Sequence, residues 1–228
     1  MNEYLQANRK RWDQLTLEHK DSHFYDLAGF RAGKNRLRSI ELSELGDVNG
    51  KSLLHLQCHF GMDTLAWARR GAIVTGIDFS RKAIALATSL SQELGIPAKF
   101  YCTSIDDLPA ILSEEFDIVF TSYGVLHGLP DINRWGEVIA YHLKPGGIFY
   151  IVEDHPFFRV FRAKEEGEIR AERSYFFSES PQRIEASGSY ATEDEGMANV
   201  SYVWDHSLGD VINALVGAGL QIEYLHEF

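Results

Sequence analysis

From residue 52 to residue 153 the chain alternates between short, near-continuous apolar runs and longer stretches whose apolar residues recur every three or four positions. SLLHLQC (Ser52 to Cys58), AIVTGID (Ala72 to Asp78), AKFYCT (Ala98 to Thr103), FDIVFTS (Phe116 to Ser122) and IFYIVE (Ile148 to Glu153) have the length and composition of buried strands. Between them, GMDTLAWARRG carries Asp63 in a first helical turn and stops at Gly71. Ser80 heads a helix with Ala83, Ala87, Leu90 and Leu94 on one face, ended by Gly95 and Pro97. A short helical piece falls near Pro109 to Leu112. Asp131 heads a further helix with Ile132, Trp135, Ile139 and Leu143 inward, and the turn LKPGG (Leu143 to Gly147) feeds the fifth strand. Buried strands separated by amphipathic helices predict an α/β fold, a doubly wound and mostly parallel sheet covered on both faces. Such sheets bind ligands at the carboxyl ends of their strands, near the switch in strand order, so the residues just after each strand are the ones that matter.

The flanks break this rhythm. Residues 1–50 read as two helices, an N-terminal cap on the core at 51–154. Residues 155–205 have no clear period and are dense in Phe and Tyr. An insertion of this length reads either as a lid over a substrate or as an antiparallel hairpin that only covers the sheet. Residues 206–228 close the core: Ser207 and Asp210 resemble a capping box opening SLGDVINALVGAG, and LQIEYLHE (Leu220 to Glu227) predicts a last strand.

Composition narrows the function. With 33 acidic against 22 basic residues the formal net charge is -11, which argues against nucleic acid as a partner. The basic trio Arg9, Lys10 and Arg11 reads as a solvated helix face. The two cysteines, Cys58 and Cys102, fall in apolar runs and are expected as buried free thiols of a reducing compartment. No apolar window approaches the roughly 20 residues that span a bilayer. The start MNEYLQANRKRWDQL is not a signal peptide, so no membrane association and a cytoplasmic location are expected.

The turn after the first strand is Gln57-Cys58-His59-Phe60-Gly61, with one glycine. A pyrophosphate needs close backbone approach and hence glycines, so this loop fits a dinucleotide poorly and a phosphate-free nucleoside ligand better. Asp78, ending the second strand, is placed to accept both ribose hydroxyls, the other reading being a cap on the next helix. Ser104 and Ile105, after the third, can meet an adenine. Histidines suited to general-base work near neutrality are His155 first, then His206 and His127. Glu153 and Asp154 also follow the fifth strand. His55 reads as a buried structural residue, and a metal site built from His55, His59 and Asp63 is not expected.

The segments VTGIDFS (Val74 to Ser80), FDIVFTSYGVLHGLPD (Phe116 to Asp131) and LKPGGIFYIVE resemble a class I S-adenosylmethionine-dependent methyltransferase with a Rossmann-like fold. The HLQCHFG wording resembles a bacterial subgroup of that family. Where the common first motif has an acid and glycines, this chain has His55, Gln57 and His59, and only Gly61 keeps its place. The resemblance implies S-adenosyl-L-methionine as cofactor. Gln57, Cys58 and His59 would line its methionine end; Asp78 and Phe79 its ribose and adenine side; Ser104 and Ile105 its adenine; Gly61 and Ser80 would also bind the cofactor. Ser122 and His127 would close the pocket. By the same resemblance, Ser22 to Gly33, with Tyr25 and Phe30, folds over the cofactor as a lid, a helix-packing role being the other reading. The family's final antiparallel strand is absent, which leaves a sheet edge for a homodimer to cover. The implied activity is methyl transfer to the oxygen, nitrogen or sulfur of a small-molecule acceptor, expected to be neutral or cationic. A non-catalytic cofactor-binding or sensor protein on the same fold is the alternative, and an NAD-dependent oxidoreductase a third.

Overall fold

The computed structural model describes residues 1–163, 168–192 and 199–228. The five apolar runs form one wholly parallel sheet: β1 (Ser52–His55), β2 (Ile73–Asp78), β3 (Ala98–Cys102), β4 (Phe116–Ser122) and β5 (Leu143–Val152). Their order is β3-β2-β1-β4-β5, so the chain reverses its direction of winding between β1 and β4. Leu53 stands beside Val74 and Ile118, and His55 beside Gly76 and Phe120. Successive strand residues face opposite sides. Leu53 and Phe120 therefore enter a core with Trp67, Leu90 and Phe30, while Leu54 and Val119 enter another with Trp135, Ile139 and Leu215. Two buried faces explain why the strands read as unbroken apolar runs.

The helices start where side chains satisfy their free N–H groups. Ser80 accepts from Ala83 N at α5 (Arg81–Leu94), and Asp131 from Asn133 N and Arg134 N at α7 (Ile132–His142). Ser207 and Asp210 cap α8 (Leu208–Gly217) reciprocally. The remaining core helices are α4 (Met62–Arg69) and α6 (Leu108–Ile111). α7 and α8 pack closely through Gly136, whose absent Cβ would lie 2.7 Å from the Ala214 carbonyl oxygen.

The N-terminal cap holds three helices rather than two: α1 (Glu3–His19), α2 (Leu27–Arg31) and α3 (Ser39–Leu45). Phe30, Leu37, Leu45 and Val48 anchor it in the core. Part of the 155–205 insertion, residues 164–167 and 193–198, lies outside the described residues. The described rest is built of short antiparallel pairs. After a 3-10 turn at Pro156–Val160 come two antiparallel pairs, β6 (Phe161–Ala163) with β7 (Ile169–Ala171), and β8 (Gln182–Ala186) with β9 (Asn199–Val203). The second pair docks on α1, where Asn8 donates to Tyr202 O and accepts from Tyr202 N, both at 2.7 Å.

Several expectations are corrected. β1 ends at His55, not Cys58, because Gln57 and His59 adopt φ of 54° and 50° and turn the chain. Leu220–Glu227 form no strand; period-two alternation makes a strand only when another backbone supplies partners. Two side-chain contacts hold this tail instead, His226 Nδ1 to Glu44 Oε1 (2.6 Å) and His155 Nε2 to Glu227 Oε1 (2.8 Å). β5 thus keeps one edge unpaired among the described residues. Cys58 is a buried free thiol, but Cys102 is exposed, since it ends the edge strand β3. Arg11 is buried, not solvated, and donates to Gly188 O of the insertion. Among the described residues no helix is long and apolar enough to cross a membrane.

Candidate functional site

A cavity of about 780 Å³ opens where β1, β2 and β4 end, at the reversal of winding, with α1 and the insertion forming its far wall. Its floor is the loop after β1. Gln57, His59 and Gly61 take φ of 54°, 50° and 74°, so alternate residues are left-handed although two of them carry side chains. A non-glycine residue pays about 1–2 kcal/mol for this conformation. Only Gly61 is forced by space, because a Cβ there would lie 2.8 Å from the Phe100 ring. The loop thus follows a glycine path while standing a Gln and a His where a pyrophosphate would need bare backbone.

Buried polar groups point to a ligand. His55 shares a 2.8 Å hydrogen bond with Thr64 through Nδ1, but its buried Nε2 has no partner. Burial pulls its pKa down to about 3, so the ring is neutral. Gln57 Nε2 donates to Val125 O at 3.2 Å, and its buried Oε1 is unpartnered. The Cys58 thiol is pushed up by burial and by Asp78, which keeps it protonated and unreactive.

Asp78 ties the floor together. Its buried carboxylate accepts from His59 N at 2.9 Å and from Ser80 N at 2.8 Å. Burial raises its pKa to about 6 against the lowering effect of those N–H groups. Ser80 caps α5, donates to Asp13 at 2.7 Å and lies off the cavity lining. Phe79, Ser104, Ile105 and Ser122 line it. Ser104 is already engaged, donating to Asp107 at 2.7 Å.

The three histidines expected as bases separate. His127 lines the cavity, and neither ring nitrogen has a partner among the described residues. Burial and then the charges of Arg159 and Arg173 hold its pKa well below 6.5, so it is neutral and able to take a proton. His155 lies off the lining, accepting from Phe157 N and pairing with Glu227. His206 is buried behind it, bonded through Nε2 to Leu129 O at 2.7 Å. Glu153 is consumed structurally: its carboxylate accepts from Gly124 N, Val125 N (2.8 Å) and Leu126 N (3.3 Å), holding the turn after β4 in place.

A set of contacts around the cavity escaped the sequence. His19 Nδ1 lies 3.1 Å from His59 Nε2, and His19 Nε2 lies 2.9 Å from Ser189 Oγ. Tyr25 and Tyr190 share a 2.5 Å hydrogen bond, and Trp12 meets His59 edge-on at 5.4 Å. These contacts join α1, the β1 loop and the insertion across separations of 40 to 170 residues, which no local pattern records. Tyr25 thus covers the cavity, whereas Phe30 packs in the core. Asp63 pairs with Arg36 at 3.6 Å, and burial raises its pKa to about 6. Among the described residues no set of His, Cys, Asp and Glu converges as metal ligands.

Residues 54–151 match a family described as a methyltransferase domain. A ubiquinone biosynthesis O-methyltransferase of Chromobacterium violaceum is 32% identical over 147 residues, 64% of this chain and 59% of that protein. The protein of the same name from Saccharophagus degradans is 34% identical over 141 residues, 61% of this chain and 56% of that protein. This chain therefore spans less than two thirds of the length of these curated relatives. A solved structure of an S-adenosylmethionine-dependent methyltransferase from Mesorhizobium loti shares the fold, with a TM-score of 0.59, 24% identity, and coverage of 82% of this chain and 81% of that one.

Proposed function

We propose that this chain, whose residues 54–151 match a methyltransferase domain family, is a class I S-adenosylmethionine-dependent methyltransferase that binds S-adenosyl-L-methionine in the cavity and transfers its methyl group to a small-molecule acceptor. The observation that carries this reading is the β1 loop, left-handed at Gln57, His59 and Gly61 yet filled with side chains at two of the three positions. It suits a nucleoside ligand without phosphate. The unpartnered His55 Nε2 and Gln57 Oε1 beside it are polar atoms awaiting a polar ligand.

S-adenosylmethionine supplies an electrophilic methyl on a sulfonium. The chain's residues do the rest. Gln57, Cys58, His59 and Gly61 hold the methionine end, and Asp78 accepts the ribose hydroxyls on the lone pairs that the two N–H groups leave. Phe79 and Ile105 pack the adenine, with Ser104 at its edge and Ser122 closing the side toward β4. His127 Nε2 takes the proton that an oxygen, nitrogen or sulfur acceptor loses as it gains the methyl. Trp12, Tyr25 and Tyr190 exclude water above the site. Ser80 supports Asp78 by starting α5 rather than by touching the cofactor, and His155 and His206 leave the base role to His127. In this reading the four sequence blocks act as cap, core, cover and closing helix. The compartment is the cytoplasm, where two free thiols persist.

Calorimetric titration with S-adenosylmethionine, S-adenosylhomocysteine and NAD tests the reading. Binding of both sulfur ligands without NAD is expected; NAD binding in the absence of S-adenosylhomocysteine binding overturns it.

A further inference from the structure

Arg159 ends its side chain inside the cavity, within 4.0 Å of the place a Cβ on Gly124 would occupy and close enough to His127 to depress its basicity. It makes no ion pair or side-chain hydrogen bond among the described residues. The contrast with Arg173, the other cation acting on His127, is direct. Arg173 is neutralised by Asp205 at 2.9 Å with both side chains nearly buried, and it also binds Gln182. The described carboxylates just before it in sequence do not quench Arg159 either: Glu153 is spent on the 124–126 backbone, and Asp154 lines the cavity without pairing to it. A half-buried guanidinium without a counter-charge among the described residues, beside an imidazole equally without a partner among them, has the chemistry to hold an anion.

The cofactor does not account for it. On the reading above, the cofactor occupies the ends of β1, β2 and β3. Arg159 instead hangs from the 3-10 turn Pro156–Val160 over the turn that follows β4, the part of the cavity left for the acceptor. We propose that the methyl acceptor carries an anionic group, a carboxylate or a phosphate monoester, and that Arg159 binds it beside His127. This replaces the neutral or cationic acceptor expected from the acidic composition, because an acceptor at this end of the cavity meets the local guanidinium of Arg159 and not the net charge of the chain. It rests on the methyl-transfer reading and adds a coupling to it. An anion on Arg159 cancels one of the positive fields that, added to burial, keep His127 weakly basic. The correct acceptor thereby strengthens the group that receives its proton.

The experiment uses the full chain saturated with S-adenosylhomocysteine, so that any site for the cofactor's own carboxylate is already filled. Benzoate, phenyl phosphate and the neutral analogue benzamide are titrated calorimetrically. At least one of the two anions is expected to bind about tenfold more tightly than benzamide, the scale of a charge-assisted hydrogen bond. Arg159→Gln should bring the anions to within about twofold of benzamide while leaving S-adenosylhomocysteine affinity within about threefold. Arg159→Lys keeps the charge and should keep the preference. By NMR, the His127 pKa should rise in Arg159→Gln and on benzoate binding to the parent protein. Equal binding of anions and benzamide, binding of none of the three, or an unchanged preference in Arg159→Gln overturns the proposal. Whichever anion binds more tightly identifies the acceptor group. A parent protein that does not take up S-adenosylhomocysteine overturns the methyl-transfer reading instead, before any acceptor probe is added.

Discussion

Asp78→Asn separates the two things this carboxylate does. In the folded chain its pKa stands at about 6 against an ordinary 3.8, because burial penalises the charge. A shift of that size corresponds to about 3 kcal/mol. The folded pKa is raised, so this group's contribution is fully present below about pH 4 and is lost as pH rises through about 6; at pH 7 the ionised carboxylate is a cost. Asparagine removes that cost. Its amide, however, can accept from only one of His59 N and Ser80 N, and the amide nitrogen then faces the other donor, a loss of about 1–3 kcal/mol. The two terms nearly cancel. The unliganded variant should melt within about 5 °C of the parent at pH 7, at roughly 2–4 °C per kcal/mol for a chain of this size. Its stability should also gain less between pH 6 and pH 4. Asp63 titrates in the same window, so the difference between variant and parent isolates Asp78. Ligand binding should behave otherwise. Two ribose hydroxyls bonded to a carboxylate contribute about 1.5–3 kcal/mol each, so S-adenosylhomocysteine affinity should fall by about a hundredfold or more. In the parent, affinity should weaken by about tenfold per pH unit below pH 6 as Asp78 takes a proton. Melts and calorimetry at pH 5 and pH 7 read all of this. A variant that binds S-adenosylhomocysteine within about threefold of the parent at pH 7 would refute the ribose role.

Two further changes probe the scaffold. Glu153→Gln puts an amide among the N–H donors of residues 124–126, and should cost about 1–3 kcal/mol, read as a lower melting temperature; an unchanged melt shows that the turn does not depend on the carboxylate. Gly136→Ala sets about 1 kcal/mol of improved helix propensity against a Cβ 2.7 Å from the Ala214 carbonyl. Since the obstacle is backbone, overpacking of about 1–3 kcal/mol should win and the variant should melt lower; a more stable protein refutes the close α7–α8 packing.

The pattern of apolar positions determined the parallel sheet, its five strands and the capped starts at Ser80, Asp131 and Ser207. These follow from local sterics, hydrogen-bonding capacity and burial on two faces, all written in contiguous residues. The same pattern located the β1 loop and its poverty in glycine. It did not show that Gln57 and His59 keep the left-handed backbone, because that strain is sustained only by the packing around them. Leu220–Glu227 alternate as a strand does, yet pairing is a property of two backbones, and only the tertiary structure decides whether the second is there. The histidines teach the same lesson. Residue type and position along the chain put His155 first as a base, then His206 and His127. The fold set His127 in the cavity, spent His155 on Glu227 and Phe157, and buried His206 against Leu129. The His19–His59 contact and the placing of Arg159 beside His127 arise from segments far apart in the chain, where proximity exists only once the cover has closed over the sheet.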